Sequence, residues 1–166
     1  ADKPLAKLTA NFVGEHHGLS SELGQAPQLP DATSLPDPRT MGLPTDGLFG
    51  RVEYRMAEVP GWAVGKPSGD PTSILWQRLD DDAVIDWPAL GLLCDSAPPP
   101  IMELGDLTSM TVQLTVHFHR LPEPRTWVAS KFTTRHVTDG FHEEDGELWD
   151  SNGNLLAQSR QLAILL

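Results

Sequence analysis

With 166 residues, 39% of them hydrophobic, the chain is long enough for one compact domain and a tail. Its formal net charge of -11, from 23 acidic and 12 basic side chains, excludes a general nucleic-acid or anionic-membrane surface, since both need clustered Lys and Arg. A polyanionic ligand would need a local basic patch that this average hides. No apolar run approaches the ~20 residues of a membrane span. The single cysteine, Cys94, has no partner for an internal disulfide, which fits a reducing cytoplasm. Ala1-Asp2-Lys3-Pro4 offers no charged leader before an apolar run, so no signal peptide is expected.

Residues 1–14 form a short apolar-patterned segment. Lys3 to Phe12 can be laid on Asn154 to Ala163, with identity at Leu5-Ala6 and Leu156-Ala157. Such a segment suits the closing strand of an earlier copy of the same domain, or a frayed terminal strand. Residues 15–47 read as a linker: Pro27, Pro30, Pro36, Pro38 and Pro44 interrupt a stretch without apolar periodicity.

From residue 48 to 166 the signals become regular. Val52, Tyr54 and Met56 alternate with Arg51, Glu53 and Arg55, and Ser73 to Leu79 follows as a second strand. Asp86-Trp87-Pro88 is a helix start, with an acceptor at the cap and proline in the first turn. Leu90, Leu93 and Ala97 keep helical spacing until Pro98-Pro99-Pro100. Met110 to Arg120 is a strand with Val112, Leu114, Val116 and Phe118 expected on one face. Trp127 to Val137 is rich in β-branched and aromatic residues and reads as one strand. In Phe141 to Asp150, Asp145-Gly146 suits a bulge better than a turn, because Ser151-Asn152-Gly153 already supplies the turn into Asn154–Leu165. The order β-β-α-β-β-β-β predicts an α+β layer of one helix against a long antiparallel sheet.

Three segments carry a family resemblance: Leu92-Leu-Cys-Asp95, Thr111-Val-Gln-Leu-Thr-Val-His-Phe-His-Arg120 and Leu155-Leu-Ala-Gln-Ser-Arg-Gln161. They resemble the second hot-dog repeat of the bacterial acyl-CoA thioesterase II (TesB-like) family. The resemblance implies a hot-dog fold, a sheet wrapped around one central helix, over residues 48–166. It implies hydrolysis of acyl-CoA without a cofactor, coenzyme A entering only as part of the substrate. Asp95, Thr111 and Gln161 would order the attacking water. A further polypeptide with the first repeat, or another copy of this chain, would complete an oligomer, with residues 1–14 closing the first repeat.

The residue types suit that chemistry. Asp95, expected in the last helical turn, is a base whose pKa the exposed carbonyls would raise. Thr111 and Gln161 hold water rather than transfer protons. A non-hydrolytic acyl-CoA-binding or structural hot-dog module is the alternative. There is no Gly-x-Ser-x-Gly elbow. Cys94 beside Leu93 reads as a small core residue, and His117 and His119 as a polar sheet face rather than metal ligands. The acidic run Glu143-Glu144-Asp145 reads as a solvated strand end.

Overall fold

The computed structural model describes all residues except 1–4, 15, 42–45, 49, 106 and 107. Its elements are β1 (Val52–Met56), β2 (Thr72–Leu79), α1 (Trp87–Leu93), β3 (Ser109–Phe118), β4 (Val128–Thr133), β5 (Val137–Thr138), β6 (Phe141–Trp149) and β7 (Leu155–Leu165). They build one antiparallel sheet in the order β1-β2-β4-β6-β7-β3, with the two-residue β5 added beside β6.

The register lines up Met56, Leu75, Ser130, Leu148, Ala157 and Phe118 across the whole sheet on one face. Facing partners in an antiparallel sheet share a side, so this row makes an apolar stripe. Leu90, Leu93 and Cys94 of the helical segment pack onto it with Val52, Phe132 and Leu156. The hydrophobic drive is burial of this stripe, roughly 2 kcal/mol for each large aliphatic side chain removed from water.

α1 begins as expected: the Asp86 side chain accepts from the Ala89 N–H at 2.9 Å and proline occupies the first turn. It ends at Leu93, earlier than the spacing of Ala97 predicts. The reason lies in Ser96. Its carbonyl accepts from the Tyr54 hydroxyl at 2.6 Å and its hydroxyl from Gln77 Nε2 at 2.8 Å. These two bonds tie the chain to the sheet and draw it off the helical path. Asp95 therefore lies just beyond the helix, its N–H donating to the Leu92 carbonyl at 3.0 Å.

Three further expectations need correction. The strand expected over Trp127–Val137 ends at Thr133, and Val137–Thr138 turns back on β6 through Asp139 (φ 51°) and Gly140 (φ 80°). Two successive left-handed residues are what a two-residue hairpin demands. Gly146 is not a bulge: the register runs unbroken through it on both sides, Phe132 facing it from β4 and Ser159 from β7. Glycine is needed there for space, since a Cβ would meet the Phe132 ring at 2.9 Å and collide with the Ser159 hydroxyl. A bulge does occur in β3, between Thr111 and Gln113. It leaves Val112 on the exposed surface and brings Thr111 to the side of Leu114, Val116 and Phe118.

The proline-rich segment lies against the outer face of the sheet. The Pro30 carbonyl accepts from the Trp76 indole at 2.8 Å, and Gly24 sits against the Trp149 ring, which is buried. Arg39 anchors it further through Asp37, Glu53 and Asp80. Residues 5–14 form no helix or strand and are exposed throughout.

Candidate active site

On the helix side of the sheet the apolar stripe gives way to polar rows. Register places Gly146, Ser159 and Val116 in the first row, Glu144, Gln161 and Leu114 in the next, and His142, Ala163 and Thr111 in the last. Three of the residues singled out by sequence converge at this end. Gln161 Nε2 donates to Thr111 Oγ1, a contact made possible by the β3 bulge. Without it, strict alternation would point Thr111 to the opposite face from Gln161.

Asp95 approaches the same rows from the end of α1. Its pKa is raised by burial of its surroundings. The residue itself remains exposed, so its carboxylate is crowded by protein on one side and open on the other. Among the described residues no hydrogen bond joins Asp95 to Gln161 or Thr111.

Glu144 joins them, opposite Gln161. The acidic run around it suits a solvated strand end, yet Glu144 is 6% exposed and its Oε2 makes no hydrogen bond to the protein. Burial, with the nearby Asp95 charge adding to it, pushes its pKa up to about 8. Its neighbours behave differently because alternation turns them outward. Glu143 accepts from the Arg135 and His136 N–H groups at 3.0 Å each, and Asp145 accepts from Arg160 Nε at 2.6 Å. The signal was present in the sequence: counting back by twos from Leu148 through Gly146 places Glu144 on the inner face.

The remaining candidates fall away from chemistry. Burial first, with the Asp95 charge, pushes the Cys94 thiol up to about 12, so it is no thiolate nucleophile. His142 is 2% exposed and shares a 2.7 Å hydrogen bond with the Ser109 hydroxyl, while burial lowers its pKa. His117 is exposed, opposite Gln158. No group of three metal-ligating side chains is assembled among the described residues. A separate groove of about 540 Å³ runs between Met56, Trp62, Ile74 and Pro100, and includes none of the four site residues. Glu58, Asp70 and Glu103 on its walls make it a poor seat for a polyphosphate.

A family model of the acyl-CoA thioesterase C-terminal domain matches residues 24–165. The chain belongs to that family. Solved structures share the architecture. A proposed thioesterase II of Thermobifida fusca is 28% identical, with a TM-score of 0.73 over 90% of this chain and 57% of its own. A proposed thioesterase of Novosphingobium aromaticivorans is 25% identical, with a TM-score of 0.73 over 92% of this chain and 58% of its own. A hot-dog protein of unknown function from Alicyclobacillus acidocaldarius reaches a TM-score of 0.76 at 21% identity, over 92% and 58%. The fold is thus the hot dog, here as a C-terminal domain spanning 57–58% of those chains. No curated protein matches by sequence. No helix among the described residues is long and apolar enough to cross a membrane.

Proposed function

We propose that this acyl-CoA thioesterase C-terminal domain supplies the water-activating half of an enzyme that hydrolyses acyl-CoA to free fatty acid and coenzyme A. The observation that carries the reading is the Gln161–Thr111 hydrogen bond on the sheet face that Asp95 approaches. Asp95 removes a proton from water, and the water oxygen adds to the acyl carbon. The Gln161 amide and Thr111 hydroxyl hold that oxygen in line, an effect of position rather than of basicity. Collapse of the tetrahedral intermediate breaks the C–S bond, and the proton taken by Asp95 passes to the departing sulfur. Atoms and charge balance without a cofactor.

Backbone N–H groups at a helix N-terminus of a first repeat would hold the oxyanion, and the acyl group would lie between the repeats. Leu5, Leu8, Phe12 and Val13, exposed to 102%, 88%, 94% and 92%, favour closure of that partner repeat by residues 1–14. The partner is a polypeptide segment carrying the first repeat or another copy of this chain, and the reaction takes place in the cytoplasm.

Gln161→Ala and Thr111→Val test the positioning role in the full-length protein. Each is expected to lower kcat at least about tenfold with KM within about twofold, because the lost interaction matters mainly in the transition state. Equal kcat for wild type and both variants would remove these residues from the mechanism.

A further inference from the structure

Glu144 is the carboxyl of the site that the hydrolytic steps do not use. It sits on β6 directly opposite Gln161 of β7, on the face turned to α1, and is 6% exposed. Its Oε2 is buried without a hydrogen bond to the protein. Thr134, which follows the Thr133–Asp145 pair on β4, has a buried hydroxyl likewise without a bond. The charged and titratable groups on the packed elements are few. His142, two residues earlier on β6, is engaged with Ser109, Cys94 at the end of α1 bears no charge, and β7 presents the neutral Gln161 and Ser159. Asp95 is the charge that Glu144 experiences, and it is of the same sign. Among the described residues no cation pairs with either carboxylate. Two carboxylates so placed cannot both ionise at little cost.

Resting on the thioesterase reading, we propose that Glu144 is a positioning residue of the hydrolytic site, a neutral carboxylic acid whose carboxyl, unpartnered within the protein, is free to donate to a water or substrate held at Gln161 and leaves Asp95 as the single negative charge. With a pKa near 8, Glu144 keeps its proton at pH 7. The proton stays on Glu144 throughout, while Asp95 cycles its own between water and sulfur. When Glu144 ionises, the oxyanion forming on the thioester must develop beside a second fixed negative charge. Attack then slows even though Asp95 remains a base.

The test is the pH–rate profile of acyl-CoA hydrolysis by the full-length protein, with affinity for a non-hydrolysable acyl-CoA thioether followed in parallel. Wild-type kcat/KM is expected to fall roughly tenfold through an apparent pKa near 8. Glu144→Gln, which copies the neutral acid in shape and hydrogen bonding, is expected to lose that alkaline fall and to keep kcat at pH 7 within about fivefold. Glu144→Leu, which has no donor, is expected to lose at least about twentyfold in kcat at pH 7 with thioether binding retained. An unchanged alkaline limb in Glu144→Gln overturns the proposal alone, with the thioesterase reading intact. Absence of hydrolysis by wild type at every pH overturns the thioesterase reading and the proposal with it.

Discussion

Replacing Asp95 by Asn is expected to lower kcat for acyl-CoA hydrolysis at least about a hundredfold while leaving acyl-CoA affinity intact, the range typical for loss of a general base. Asparagine keeps the shape of the side chain and cannot accept the proton. Because Asp95 lies on the surface just past α1, with its backbone N–H bonded to Leu92, the exchange leaves the fold undisturbed. The acid side of the pH profile gives a second readout. Burial raises the Asp95 pKa, so wild-type turnover should rise as pH climbs through that raised value. The Asn variant should lack this limb. Wild-type turnover in Asp95→Asn would remove Asp95 as the base.

Glu144→Gln is expected to stabilise the folded protein at pH 9 by about 5 kcal/mol and to change stability little at pH 4. The folded-state pKa of Glu144 is raised from the ordinary 4.5 to about 8. Folding therefore favours the protonated form. That contribution is complete below 4.5 and is lost as pH rises through 8, where a buried carboxylate must be carried beside Asp95. Glutamine never ionises and escapes the penalty. Urea unfolding of wild type and variant at both pH values measures the gap. A difference independent of pH would mean that Glu144 is solvated and ordinary.

Most of the fold was legible because its signals are local. Period-2 runs at 52–56 and 72–79, and the Asp86-Trp87-Pro88 start, place elements without knowledge of their partners. What escaped depends on contacts distant in sequence. Ser96 leaves the helix because Tyr54 and Gln77 bind it across the sheet. Thr111 changes face because of a bulge that only the pairing with β7 reveals. The proline-rich segment reads as spacer, yet Trp76 and Trp149 on two separate strands hold it down. Asp139-Gly140 and Asp145-Gly146 are both Asp-Gly pairs suited to a hairpin, and only the strand pairing shows that the first makes the turn.

The site followed the same division. Asp95, Thr111 and Gln161 came from a family resemblance, since their spacing alone singles out none of them. The structure puts Thr111 and Gln161 in contact and shows Asp95 without a bond to either. Glu144 was concealed by its acidic neighbours. A run of three carboxylates looks solvated as a group, but a strand turns every second residue inward, and here the middle one faces the core.

Release of free thiol from a series of acyl-CoA substrates by the full-length protein, measured beside equilibrium binding of the same compounds, tests the central claim most directly. Saturable release of one thiol per fatty acid formed, lost in Asp95→Asn with binding kept, is the predicted result. Binding of acyl-CoA with no thiol released at any pH would contradict hydrolysis and identify a hot-dog module that holds its ligand without cleaving it.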